Sequence, residues 1–244
     1  MTLADSASYD QFAWVYNRHF GRYAEQVLGP LNELVLHDFP PPRRILDLCC
    51  GTGQLDRALQ ALGYEITGID GSPEMIRFAR ENAPGCEFIV ADARAFSVHR
   101  PFDAAVCVYD SLNHFMHLDR LREVFRSVHA ALQEGAPFVF DLNMEAGFRE
   151  RWRGSFGIVE DDHVSVFRFH FDEYEKRGEF AATIFRRESG WSRSDFSLEQ
   201  RCYSAEEVTT ALSAEGFSRV SIVDAQQWLS LNSRIGRSFF LCFA

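Results

Sequence analysis

Nowhere does the sequence hold an apolar run near the ~18–20 residues that a membrane span requires, so no membrane partner is expected. Its first residues, Met1-Thr2-Leu3-Ala4-Asp5-Ser6, lack a basic segment followed by an apolar one, and no secretory leader is expected either. Lysine occurs once, at Lys176, and 25 basic residues against 35 acidic ones leave a net charge of −10. A polyanion demands a basic surface, so this deficit argues against nucleic acid as a partner. Cys-x-x-Cys is missing, and Cys49, Cys50, Cys86, Cys107, Cys202 and Cys242 show no histidine spacing of a zinc site. No bound metal and no structural disulfide are expected, which places the chain in a reducing, cytoplasmic compartment. Gly-x-x-x-x-Gly-Lys-Ser/Thr is absent too, which excludes a P-loop.

What is present is an ordinary globular composition, with 46% hydrophobic residues in a length of 244. That length suits one large domain, or one domain carrying a sizeable insertion. Residues 9–37 place apolar and aromatic side chains at helical spacing, from Phe12 to Val35, with an interruption expected at Gly29-Pro30. After Pro40-Pro41-Pro42, strand and helix alternate. Strands are expected at 44–48, 65–69, 86–91, 104–108 and 138–142, with helices at 54–62, 73–82 and 118–132. Such alternation predicts a doubly wound α/β fold around a parallel sheet. Four successive strands end at or beside a carboxylate, and ligands of open α/β sheets bind at that edge.

The pattern then changes. Residues 163–171, 179–186 and 195–203 alternate like strands and predict an antiparallel meander after the fifth parallel strand. Ser204-Ala205-Glu206-Glu207 is a capping box opening a helix that stops at Gly216. Strands near 219–224 and 238–243 predict a closing hairpin.

The most specific constellation is Asp47-Leu48-Cys49-Cys50-Gly51-Thr52-Gly53, a strand running into a tight turn and then a helix N-terminus. A dinucleotide site wants a third small residue where Asp56 stands, and a carboxylate there opposes a pyrophosphate. A ligand with a ribose and an adenine but no phosphate fits better: S-adenosylmethionine. Asp70, in Gly68-Ile69-Asp70-Gly71-Ser72, suits ribose hydroxyls, and Asp92, in Ala91-Asp92-Ala93, suits an adenine amino group. Met75 and Ile76 offer apolar cover for a purine.

With these motifs the chain resembles the class I S-adenosylmethionine-dependent methyltransferase family over roughly residues 40–145. The resemblance implies a Rossmann-like seven-stranded, mostly parallel sheet with a reversed last strand. It also implies that Gly51 and Gly53 lie against the methionine arm, that Asp47 helps hold its ammonium, and that Asp70 and Asp92 bind ribose and adenine. Cys49 stands where the family's first loop glycine belongs. Within the family the chain looks most like small-molecule enzymes, such as sugar-amine and glycine N-methyltransferases. Those have an aromatic N-terminal helix over the cofactor and an antiparallel insertion after strand five. The expected division is a helical segment 1–39, a core of 40–145 plus 204–244, and a cap of 146–203.

The implied activity is methyl transfer to a nitrogen or oxygen of a small molecule. Tyr9 and Tyr16 are candidates for touching cofactor or substrate, or alternatively for the helix core. The loop Tyr109-Asp110-Ser111-Leu112-Asn113-His114 should border the reactive methyl, with His114 as candidate base and Asp110 as its rival. Ser111 and Asn113 are alternatively caps of the next helix. Phe167, Phe169, Phe171 and Phe180 read as the core of a small sheet, and Arg149, Arg151, Arg153, Arg186 and Arg187 as surface ion pairs. A nucleic-acid methyltransferase is disfavoured, because Asp110-Ser111-Leu112-Asn113 stands where adenine-N6 enzymes carry Asp/Asn-Pro-Pro-aromatic. A non-catalytic cofactor-binding module is the other alternative.

Overall fold

The computed structural model describes residues 6–228 and 236–244; the leader expectation rests on residues that lie mostly outside them. Five parallel strands, β1 (Arg44–Leu48), β2 (Glu65–Asp70), β3 (Glu87–Val90), β4 (Ala104–Cys107) and β5 (Pro137–Asn143), form most of one sheet. With β10 (Ser218–Asp224) and β11 (Arg237–Phe243) its order is β10-β11-β5-β4-β1-β2-β3. β11 runs antiparallel to both β5 and β10, which is the reversed strand that the closing hairpin predicts. This is the Rossmann-like methyltransferase topology.

Strands buried on both faces explain the near-continuous apolar runs. In β5 the period of two sends Phe138, Phe140 and Leu142 to one layer, with α5 (Leu118–Ala131) and α7 (Ala205–Ala214). Val139 faces the other layer, where α2 (Tyr23–Leu34) and α3 (Gln54–Ala61) supply Val27, Leu31, Leu55 and Leu59. The capping box of α7 forms as expected: Ser204 accepts from the Glu207 backbone, and Glu207 accepts from the Ser204 backbone.

At the N-terminus the expected break moves. α1 (Ser6–Val15) runs into a π-helical turn at Tyr16–Phe20, and α2 then passes straight through Gly29-Pro30. Pro30 forfeits one backbone hydrogen bond, but the buried Val27 and Leu31 hold the helix across it. The interruption falls instead at the two-residue turn Gly21-Arg22, where a Cβ on Gly21 would displace the end of the Gln54 side chain.

A second sheet of four antiparallel strands follows: β6 (Gly154–Glu160), β7 (His163–Asp172), β8 (Arg177–Arg187) and β9 (Trp191–Arg201). The sequence pattern gives three of these. It misses β6 because that edge strand is solvent-exposed along nearly its whole length and carries no alternation. It also misses the short helix α6 (Glu145–Arg151). Phe167, Phe180, Phe196 and Leu198 bury one face of this sheet against Phe12 and Val15 of α1. The opposite face of α1 is fastened to the core: Asp10 accepts from the Ser72 hydroxyl at 2.5 Å. In the π-helical turn, Asn17 accepts from both Gln54 and Asn82. The N-terminal segment therefore lies between the antiparallel sheet and the C-terminal edge of the parallel one.

Candidate active site

β1 ends in a loop whose backbone turns left-handed at Cys49 (φ 57°), Gly51 (φ 57°) and Gly53 (φ 78°). A Cβ at Gly53 would lie 2.9 Å from the Ala79 backbone, so this glycine lets α4 (Pro73–Asn82) pack on the loop. Gly51 faces the ring of Tyr16. Cys49 keeps the glycine-like conformation at a cost of about 1–2 kcal/mol for an L-residue. Asp70, at the end of β2, accepts from Gly51 N at 3.0 Å and Ser72 N at 2.8 Å, tying two strand ends together. Burial raises its pKa in spite of those bonds.

Beside this loop lies a narrow cleft. Of the sequence candidates, Tyr9, Tyr16, Cys49, Gly51, Asp70, Gly71, Met75, Ala93, Tyr109 and His114 line it, together with Ile69, Ala91 and Phe115. Lysine and arginine are absent from its described lining. A cleft with one buried carboxylate and an apolar wall suits ribose hydroxyls and a purine, and offers a pyrophosphate no cation.

Asp110, Ile76, Gly53, Asp92 and Asp47 are not in its lining. Gly53 is covered by α4. Asp92 gives both carboxylate oxygens to the Arg94 guanidinium (3.0 and 2.5 Å) and one of them also to its backbone N, which hold its pKa low against partial burial. Asp47 is buried beneath the loop next to Asp56. Burial first, and the neighbouring carboxyl second, push Asp47 well above the carboxylate range; burial lifts Asp56 to about 7. A folded-state pKa above the unfolded value means the native state binds the extra proton. Stability from this pair is thus full below about pH 4 and lost as pH rises through about 7. Asp56→Asn should flatten that dependence, leaving the variant more stable than the parent near pH 8 but not near pH 5 in urea unfolding. Identical slopes for both proteins would show that the pair does not hold a proton.

At the end of β4, Tyr109 (φ 69°) and Asp110 (φ 52°) are consecutive non-glycine residues in left-handed conformation. Asp141 of β5 holds them there, accepting from Tyr109 N at 2.5 Å and from Asp110 N at 3.3 Å. The fully buried Arg237 of β11 bridges Asp141 and Asp110 through its two terminal nitrogens. Burial alone would raise Asp110, but the Arg237 guanidinium outweighs it and keeps that carboxylate ionised. Its second oxygen accepts from Gln200 Nε2 at 2.5 Å. Both Asp110 oxygens are thus engaged, one by Arg237 and one by Gln200.

His114 is differently placed. It sits in a short 3-10 turn, Ser111–His114, and its Nδ1 lies 2.7 Å from the Glu199 carbonyl, which only accepts. The proton of the neutral ring is therefore on Nδ1, and the Nε2 lone pair faces Tyr9 Oη (2.7 Å) and Gln200 Nε2 (3.1 Å). Burial, then the nearby Asp110, raises the Tyr9 phenol well above its usual value, so Tyr9 remains a donor. Ser111 and Asn113 do not cap α5: Ser111 donates to Val108 O, and Asn113 joins β5 to β9 through Asn143 and Arg201.

A second chamber of about 210 Å³ shares Tyr9, Tyr16, Tyr109 and His114 with the cleft. Its remaining walls include Phe12, Phe20, Trp152, Phe169, Phe180 and Leu198, with Asp110, Asn143, Arg151, Gln200 and Arg237 as its polar groups. The alternating phenylalanines thus serve as sheet core and as chamber wall. Arg149, Arg153 and Arg186 form surface pairs as expected, whereas Arg151 donates to Asn143 Oδ1 at 2.5 Å and faces the chamber. Sequence reasoning missed Asp141, Asn143, Gln200 and Arg237. The one available hint was a carboxylate and an amide at the end of the apolar strand Phe138-Val139-Phe140-Asp141-Leu142-Asn143.

A family model described as a methyltransferase domain matches residues 45–135. The chain is 31% identical over 185 residues to a putative methyltransferase, YqeM, of Bacillus subtilis (strain 168), covering 73% of this chain and 74% of that protein. It is 27% identical over 208 residues to dTDP-3-amino-3,6-dideoxy-alpha-D-glucopyranose N,N-dimethyltransferase of Streptomyces fradiae, covering 81% and 79%. Among solved structures, an S-adenosylmethionine-dependent methyltransferase from Clostridium acetobutylicum ATCC 824 superposes with a TM-score of 0.77 at 22% identity, over 96% of this chain and 98% of that one. The cleft, the topology and the relatives agree: the chain belongs to the S-adenosylmethionine-dependent methyltransferase family.

Proposed function

We propose that this enzyme methylates an amine nitrogen of a small molecule held in the aromatic chamber between the two sheets. The chamber itself carries the reading: it opens onto the cleft through four shared side chains, and its remaining walls are mainly aromatic. A space of about 210 Å³ suits a small acceptor, of monosaccharide or amino-acid size, rather than a polymer. The amino-sugar dimethyltransferase among the relatives supports nitrogen over oxygen.

In this reading Asp70 receives the ribose hydroxyls, and Gly51 and Cys49 border the methionine arm. Met75 and Ala93 flank the adenine, towards which Asp92 has only the lone pairs that Arg94 leaves. When bound, S-adenosylmethionine supplies a sulfonium methyl as the electrophile. The acceptor amine must be uncharged to attack, so the protein's task is to remove a proton and exclude water. The Tyr9 hydroxyl, donating to His114 Nε2, forms the proton-accepting end: the amine's proton goes to the Tyr9 oxygen as the phenolic proton moves to Nε2. The Glu199 carbonyl then holds the imidazolium in place through Nδ1–H. Arg237 and Asp141 position the loop and do not take part in proton transfer. The free thiols support placing the protein in the cytoplasm.

His114→Ala should lower kcat by about 100-fold with amine acceptors, while S-adenosylhomocysteine affinity changes by less than about fivefold. Coupled detection of S-adenosylhomocysteine and methylated product, over a panel of amino sugars, amino acids and their hydroxyl analogues, tests the whole reading. Turnover of hydroxyl analogues alone would refute nitrogen as the acceptor.

A further inference from the structure

Away from the cleft, the π-helical turn at Tyr16–Phe20 meets the tight turn between β6 and β7. There His19 Nε2 and His163 Nε2 face one another at 2.9 Å, with Glu160 Oε1 at 3.9 Å from His19 Nε2. Three ligand-type atoms from these residues lie within 4.8 Å of one another. The orientation of each group is fixed by its neighbours. Asp162 Oδ1 accepts from His163 Nδ1 at 2.8 Å, so the neutral His163 ring has its lone pair on Nε2. A carboxylate behind an imidazole in this way is the arrangement that raises ligand basicity at metal centres. Arg18 takes Glu160 Oε2 and Asp162 Oδ2, which turns Glu160 Oε1 towards the histidines. His163 is fully buried and His19 half-buried.

We propose that His19, His163 and Glu160 bind a divalent cation of the zinc class, latching the N-terminal segment to the antiparallel sheet. Two imidazoles and one carboxylate, with a fourth position left to water, match the ligand preferences of Zn²⁺ and of its probes Co²⁺ and Ni²⁺. At Zn–N distances of about 2.0–2.1 Å, tetrahedral nitrogens stand roughly 3.3 Å apart, so the rings need to separate only slightly. Binding requires the His19 proton to sit on Nδ1 and needs no change in net charge of the two rings. Tyr16 and Phe20, in the same turn as His19, wall the acceptor chamber, so the latch would fix one side of it. Three acidic residues in sequence, Glu160-Asp161-Asp162, stand at this turn against the guanidinium of Arg18 and that of Arg186, which pairs across the sheet with His163 and stacks on Trp14.

The test uses the untagged full chain stripped with a chelator, and needs no methyl transfer. Calorimetry with Zn²⁺ and visible absorption with Co²⁺ should each give one ion per chain, the cobalt spectrum lacking thiolate charge transfer. His19→Ala and Glu160→Gln, two changes at partly exposed positions, should each weaken binding at least about tenfold and abolish the Zn²⁺-induced rise in Tm. Trp14, whose ring meets His163 edge-on at 5.0 Å, should lose fluorescence on Co²⁺ or Ni²⁺ binding in the parent but not in His19→Ala. No binding at roughly tenfold excess of Zn²⁺ over protein overturns the proposal. So does a thiolate-type cobalt spectrum, or binding that both substitutions leave unchanged, because either assigns the ion to the cysteines or the surface.

Discussion

Asp70→Ala is expected to weaken S-adenosylmethionine and S-adenosylhomocysteine binding on the order of 100-fold. Hydrogen bonds to a charged group contribute about 1.5–3 kcal/mol each, and about 1.4 kcal/mol is a factor of ten. In the proposed reading the substitution removes the acceptor for the ribose hydroxyls, and it leaves Gly51 N and Ser72 N without their present partner. Loop and ligand suffer together, so the loss should exceed that of a contact at the rim. Asp92→Ala is the informative contrast. Its carboxylate is already claimed by Arg94, and less than about tenfold should be lost. Calorimetry with S-adenosylhomocysteine separates the two. Equal losses would move recognition towards the adenine end, and an Asp70→Ala protein that binds like the parent would remove Asp70 from the ribose.

The second large effect lies beneath the acceptor chamber. Arg237→Met should destabilise the fold by about 3–5 kcal/mol, the range for removing one partner of a buried ion pair. The side chains are of similar size, so the loss comes from charge: Asp110 and Asp141 remain buried together with no cation between them. The pH dependence has a definite sign. In the parent, Asp110 is held below its unfolded pKa, so its contribution is present at neutral pH and lost on acidification. Without Arg237, burial and mutual repulsion raise Asp110 above the unfolded value and push Asp141, which burial already raises in the parent, higher still. The variant's stability then falls as pH rises through those raised values, and its deficit is smaller near pH 5 than near pH 8. Urea unfolding at the two pH values measures this, and Asp110→Asn in the Arg237→Met background should recover part of the loss. A deficit independent of pH would mean that packing, not charge, is what Arg237 provides.

Much of this architecture is legible in the sequence because its signals are local. Buried parallel strands are short apolar runs, Gly51 and Gly53 mark the turn that follows β1, and Ser204 with Glu207 announces α7. The cleft is legible for the same reason, since its residues follow directly on strand ends. What escapes is written across the chain. Arg237 meets Asp110 and Asp141 over separations of 127 and 96 residues, and Gln200 reaches Asp110 over 90. No spacing rule connects such positions. Asp92 is a different case: an arginine only two residues away engages the carboxylate at that strand end, a contact that the strand pattern does not announce. β6 is hidden by exposure and the passage of α2 through Pro30 by tertiary packing, where buried neighbours override a local breaker. Cys49 shows the converse, a left-handed position retained after its glycine is gone, held in place by the strands and helix around it.

The measurement closest to the central claim is equilibrium binding of S-adenosylmethionine and S-adenosylhomocysteine to the purified, folded chain. The account predicts one molecule bound per chain with a dissociation constant in the micromolar range or tighter, each ligand displacing the other. A folded protein that gives no binding heat with either would contradict the assignment of the cleft.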